Sequence, residues 1–344
     1  MYYSYSSGVS NVTILGLFPD LMTGPSGQLF NHSDSGRGRG ILAPLWWYAR
    51  ELGRPDLVTT ERKIGFANYA HAPAMDRNPH SCEFCFMPLI WMVDVPSESK
   101  SSKTPLSWWS GSSVPVTVQT ASRDDPDAIW VAMKGGTAQA SHAHADQGSF
   151  VLDALGERWA EDLGGESYGI GEAEHGMKFW DSSNESPRWS YFRLGLQGHN
   201  LVTIEGEEAN VGGFAALNFC RCPKRDAICH LSAVHPSASS AKRTGSLAKD
   251  GKSYVIRDAF SGVKPGTVLV WRMNTYAKPK IDGRAVVLEK NGKRLRLEAS
   301  AGEWSTFVPE LPKSNPDPNL VQLQLRVTAD ESGDAAWSVT FIPL

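Results

Sequence analysis

Nowhere in the 344-residue chain do about 18 apolar residues run together, so hydropathy excludes a membrane-spanning helix. A basic excess is lacking too. With 34 Lys and Arg against 37 Asp and Glu, the net charge is −3, which argues against nonspecific nucleic-acid binding. The opening residues Met1-Tyr2-Tyr3-Ser4-Tyr5 carry no basic segment ahead of an apolar run, so no export signal is visible. The start reads like the interior of a larger protein. Cysteine is scarce, with five in all. Cys82 and Cys85 form a CxxC, but Cys220, Cys222 and Cys229 lie far downstream in a spacing unlike a zinc knuckle. A disulfide between the two groups is the better alternative, and free buried thiols are the default. There is no internal repeat and no HExxH, the motif that would place a water-activating glutamate beside paired histidines.

What remains is a chain 41% hydrophobic and 21% charged, typical of a globular protein with room for two domains. Helical spacing is confined to the first part, over residues 9–22 and 40–53. In the second stretch Leu45, Trp46, Ala49 and Leu52 fall on one face, and Gly53 with Pro55 ends it. From about residue 84 short apolar runs alternate with turn residues, as in an all-β domain. Predicted strands include 114–120, 128–134, 148–155, 200–205, 252–259 and 267–273. After a break near Lys278-Pro279-Lys280, strands resume at 286–289, 294–298, 320–328 and 335–342. Ser-rich stretches at 97–102 and 237–246 read as loops. Twelve Trp are available for a sandwich core or for surfaces that hold sugar rings.

Chemistry concentrates in Ser141-His142-Ala143-His144-Ala145-Asp146-Gln147-Gly148-Ser149-Phe150. On a strand, period-2 spacing sends His142, His144 and Asp146 from one face. Two imidazoles and a carboxylate so placed are a natural zinc set. Two more segments supply the same donor types: Asp162 before Gly164-Gly165, and His199 at the start of a strand. Gln147 and Asn200 flank these donors and could orient them. Tyr168 on a glycine-rich loop and Arg193, with its planar fork, are candidates to line a sugar site; a loop tyrosine and a structural ion pair are the plain alternatives. His32 and Asp34 read as a turn with exposed polar groups. His71, His80, His175, His230 and His235 read as surface residues.

These segments together, with Gly156-Glu157-Arg158-Trp159-Ala160, Asp162-Leu163-Gly164, Gly198-His199-Asn200 and Val270-Trp271-Arg272-Met273-Asn274-Thr275, resemble the β-domain of heparinase II/III-like polysaccharide lyases, a group that includes oligoalginate lyases. The resemblance covers roughly residues 20–300. It implies a mainly β fold, an antiparallel β-sandwich preceded by the remnant of an (α/α) toroid. On that reading residues 1–62 are the toroid remnant, 63–277 a large sandwich with a metal site, and 278–344 a small C-terminal sheet. The resemblance assigns zinc to His144, Asp162 and His199, and places His142 at the reaction centre. Asp162 is preferred over Asp146 as third ligand on the resemblance alone.

The reaction implied is β-elimination at a uronic acid of an acidic polysaccharide such as a glycosaminoglycan or alginate. The family's tyrosine and carboxylate-neutralising residue come from the toroid, and neither matches a residue here. The resemblance also implies a periplasmic or secreted location, and a homodimer is compatible with the sequence. The alternative is a non-catalytic, zinc-stabilised carbohydrate-binding β-module.

Overall fold

A computed structural model describes residues 11–39, 42–62, 87–96, 105–111, 113–220, 226–313 and 315–344. Cys82, Cys85, Cys222, His71 and His80 lie outside the described residues. The chain divides into two compact units, one of residues 1–23 and 38–105, the other of 24–37 and 106–344.

The first unit is helical where it is described. Its main helices are Asn11–Leu21 and Pro44–Leu52. In the second, Leu45, Trp46 and Ala49 are buried, and Gly53 ends it at φ 62°, a left-handed conformation that costs glycine little. Arg39 bridges Asp20 (3.1 Å) and Glu61 (2.7 Å).

The second unit is mainly antiparallel β, with short helical segments between residues 168 and 198. One sheet runs β1 (Ser107–Ser110), β2 (Val116–Thr120), β3 (Trp130–Lys134), β4 (Phe150–Ala154) and β5 (Glu157–Ala160) in sequence order. β2, β3 and β4 are buried on both faces; β3 and β4 are mostly apolar, whereas β2 buries Thr117, Gln119 and Thr120 as well. A four-stranded sheet has the order β15 (Glu303–Phe307), β16 (Val321–Thr328), β11 (Val268–Thr275), β6 (Val202–Ile204).

The third sheet has eight strands. Its order is β12 (Lys278–Asp282), β13 (Ala285–Lys290), β14 (Lys293–Ala299), β17 (Ala335–Pro343), β10 (Tyr254–Ser261), β9 (Ser240–Leu247), β8 (Asp226–His230), β7 (Ala216–Cys220). Strands after residue 278, read from sequence as a sheet of their own, thus pair with earlier ones: β17 lies on β10 with Asp258 opposite Trp337. One core cluster draws side chains from all three sheets, including Phe150, Trp159, Trp271, Leu297 and Phe341. Bridges at Gly136–Ala215 and Glu161–Asn274 stitch the first sheet to β7 and β11.

Two buried ion pairs shape the end of this unit that carries the histidines. Arg243 on β9 faces Asp258 on β10, and its guanidinium spans both carboxylate oxygens at 2.8 and 3.0 Å. Its remaining Nη1 donates to the carbonyls of Gly148 (2.8 Å) and Asn200 (2.7 Å), pinning the chain before β4 and the residue after His199. In the β4–β5 hairpin Arg158 pairs with Asp153 and donates to the carbonyls of Gln28 and Leu29. Asp153 also accepts from Ser26. This pair docks residues 24–37 onto the sheet. Gly24 is obligatory in that contact, since a Cβ there would sit 2.1 Å from Asp153 Oδ2 and 2.8 Å from the Trp130 ring.

Candidate active site

The segment 141–149 is not a strand. It is a turn followed by irregular chain, with β4 starting at Phe150, and His142 adopts φ 57°. This corrects the period-2 reading: the three polar groups do not share a strand face. His142 is 65% exposed at its side chain, whereas His144 is fully buried. Asp146 is taken up by the Lys134 ammonium and by the Ser33 backbone N–H at 3.3 Å. Burial alone would raise its pKa, but Lys134 beside it wins and holds it at about 2. Asp146 is therefore a buried structural anion that fixes the loop carrying Ser33 and Asp34.

That loop supplies the residue sequence reasoning missed. Asp34 Oδ2 lies 2.9 Å from His142 Nδ1, and its Oδ1 lies 2.9 Å from His144 Nε2. Tyr168 O–H donates to the same Oδ2 and lies 2.9 Å from His142 Nδ1. One carboxylate thus gathers two histidines and a tyrosine. Burial opposes its charge, but the interaction with His144, the hydrogen bond from His142 and the nearby Arg188 guanidinium outweigh it, so its pKa is lowered. An ionised Asp34 favours the proton on His142 Nδ1, which leaves Nε2 with a lone pair. A cavity of about 250 Å³ opens here, lined by His32, Asp34, Lys134, Thr137 and His142.

His199 is held by its neighbours' backbone. The Asn200 amide donates to the carbonyls of Phe150 (2.7 Å) and Glu161 (2.8 Å), and its oxygen accepts from Asn274 N–H (2.7 Å). So Asn200 fixes the chain next to His199 through backbone groups of Phe150, Glu161 and Asn274. Gln147 bonds the Val211 carbonyl instead (2.6 Å). His199 Nδ1 lies 3.2 Å from Asp162 Oδ2, and Asp162 Oδ1 accepts from Gly164 N–H. Burial works against both charges, yet each outweighs it for the other: the Asp162 pKa is lowered and the His199 pKa raised.

His144 and His199 bring their rings to 5.4 Å. His144 Nδ1 and His199 Nε2 are both buried without a hydrogen-bond partner, which leaves two ring nitrogens that a metal ion could use. Among the described residues, no three His, Cys, Asp or Glu converge closely enough to hold an ion, because Asp162 turns its carboxylate to the other nitrogen of His199. The donor set fits a metal at two positions.

Arg193 is elsewhere. It donates to the carbonyls of Leu163 (3.0 Å) and Asn315 (3.4 Å), and pairs with Glu166 (3.7 Å) and Asp317 (3.8 Å). It lines a second, polar depression of about 440 Å³ with Arg37 and Tyr276.

An antiparallel β protein whose loops assemble histidines, aspartates and a tyrosine at one end of its sheets is the class this architecture defines. The heparinase II/III-like C-terminal family profile matches residues 117–337, and the chain belongs to that family. No curated protein sequence matches it. Among solved structures it is similar to the heparan sulfate lyase HepC from Pedobacter heparinus (14% identity, TM-score 0.59), covering 96% of this chain and 46% of that one. It is also similar to the heparinase III BT4657 gene product (13%, TM-score 0.60, 96% and 46%) and to a crystal structure titled heparinase III (13%, TM-score 0.57, 97% and 48%). These likenesses concern the fold. The chain spans just under half the length of each of those proteins. No helix among the described residues is long and apolar enough to cross a membrane.

Proposed function

We propose that this chain belongs to a polysaccharide lyase that cleaves a uronic-acid-containing polymer of the heparan sulfate or alginate kind by β-elimination. The observation that carries the reading is the Asp34–His142–Tyr168 cluster, an exposed imidazole oriented by an ionised carboxylate at the mouth of a cavity. A base takes the C5 proton of the uronate, the electron pair becomes the C4–C5 double bond, and the C4–O4 bond breaks with O4 protonated. His142 Nε2 faces this chemistry with a lone pair; after accepting the proton it can return it to O4. Tyr168 shares Asp34 with His142 and, within hydrogen-bond reach of its Nδ1, helps to hold the imidazole in place. Family membership and the three lyase-like folds support this reading.

We also propose that zinc binds at His144 and His199; Asp162, the third donor expected from sequence, would have to turn its carboxylate away from His199 Nδ1 to join them. The support is the pair of unpaired ring nitrogens, and the metal would supply rigidity to the loops that carry His142.

Mixing the chain with heparan sulfate, heparin and alginate and following ultraviolet absorbance tests the reaction. A conjugated unsaturated product is expected with at least one polymer. New reducing ends without that chromophore would mark a hydrolase, and binding without either would mark the non-catalytic module.

A further inference from the structure

Beside the cluster lies an aromatic surface that the reaction itself does not use. Tyr168 begins a helix (Tyr168–His175) that runs into a 3-10 turn (Gly176–Trp180). Its ring stacks near-parallel to His142, centroids 6.4 Å apart at 23°, and meets Trp180 edge-on at 4.6 Å. Trp180 is 39% exposed and Met177 is 82% exposed, although both are large and apolar. Exposed apolar groups at a fixed place beside a site are informative in a way that scattered ones are not.

The indole is also held still. Its Nε1 donates to Glu172 Oε1 at 2.8 Å, eight residues back on the preceding helix. Phe179, fully buried, anchors the turn against Tyr191 (5.6 Å, edge-on) and the Arg188 guanidinium (5.3 Å). Gly171 lets the helix close on that ring, where a Cβ would lie 2.2 Å from Phe179. Arg188 in turn donates to the Ala143 carbonyl between the two histidines (3.3 Å). The ledge and the His142 loop are therefore one braced assembly.

We propose that Trp180, with Met177, is a binding subsite for a pyranose ring of the substrate chain next to the sugar at His142. A pyranose presents a face of C–H groups that packs on an aromatic ring, while its hydroxyls stay in water. Because the ring is ordered beforehand, little freedom is lost on binding. The inference rests on the elimination reading only for which sugar is neighbour, not for the stacking.

Trp180→Ala, Trp180→Phe and Met177→Ala are compared with the unaltered chain, with thermal melts checking folding. Trp180→Ala is expected to raise KM for heparan sulfate or alginate about tenfold with a smaller change in kcat, and Trp180→Phe to recover most of it. Binding to the same polymers is measured calorimetrically in a His142→Ala background. Turnover with KM and affinity indifferent to Trp180 overturns the ledge and leaves the lyase reading standing. Trp180-dependent binding without turnover supports the ledge and sinks the lyase reading. Neither turnover nor binding overturns both. Should Trp180→Ala fail to fold, Met177→Ala and Trp180→Phe carry the test through a smaller rise in KM, and no rise in either overturns the proposal.

Discussion

Asp34 and His142, 108 residues apart in sequence, meet across 2.9 Å through a hydrogen bond between Oδ2 and Nδ1. The backbones reinforce the pairing, since Asp34 N–H donates to the His142 carbonyl at 3.3 Å. A left-handed backbone at His142 (φ 57°) is the local strain that aims the ring. The loop bearing Asp34 stays in place through Arg158 and Asp153 on one side and Asp146 on the other.

Asp34→Asn keeps the shape and removes the charge. The amide cannot hold His142 in one tautomer, so kcat should fall about 100-fold with little change in melting temperature. Steady-state kinetics alongside a thermal melt checks both halves.

Asp258→Asn leaves the Arg243 guanidinium buried without its counter-charge. A loss of about 3–5 kcal/mol in unfolding free energy is expected by urea titration. Arg243→Met should cost activity as well as stability, because the Gly148 and Asn200 carbonyls lose their donor.

Glu207 accepts from His235 (2.6 Å) and from Ser237 N–H (3.1 Å). Burial raises its pKa, but the hydrogen bonds and charge of His235 and the bonds from Ser237 prevail and lower it. A carboxylate lowered on folding stabilises the fold fully above its ordinary pKa, and that contribution fades as pH falls through the lowered value. Denaturation between pH 3 and 7 should therefore show a loss on the acid side that Glu207→Gln flattens. Identical pH curves for the two proteins would count against the assignment.

If zinc sits between His144 and His199, a chelator should lower the melting temperature by about 3 °C or more, reversibly on adding zinc. His144→Ala should melt low already and not respond. Elemental analysis of the purified chain is the companion measurement.

The outline of the fold was readable because most strands carry their burial in their pattern. β10 alternates along Tyr254–Ser261 and β17 along Ala335–Pro343, and both fall where apolar spacing predicts. β9 was hidden. Ser240-Ala-Lys-Arg-Thr-Gly-Ser-Leu reads as a polar loop, yet it is an interior strand whose Arg243 is fully buried and neutralised across the register by Asp258. Charge compensation between strands leaves no trace in a local window. His235 is another case, only 2% exposed because Glu207 partners it.

At the site, the donor-rich run 141–149 was legible by composition, but its shape was not. A turn with one left-handed residue turns His142 outward and His144 inward, which period-2 reasoning cannot foresee. Asp34 looked like an exposed turn residue because its partners come from residues 142, 144 and 168. Lys134 left one signal: a lone charge ending the apolar strand Trp130–Lys134, which implies a buried partner.

The most direct test is a double-mutant cycle on elimination rate. The rates of Asp34→Asn, His142→Ala and the double variant are compared with the unaltered chain on the best uronate polymer. If Asp34 acts through His142, the double variant is no slower than His142→Ala alone. Losses that multiply would show two independent roles and contradict the account, as would a His142→Ala variant that still forms unsaturated product at the original rate.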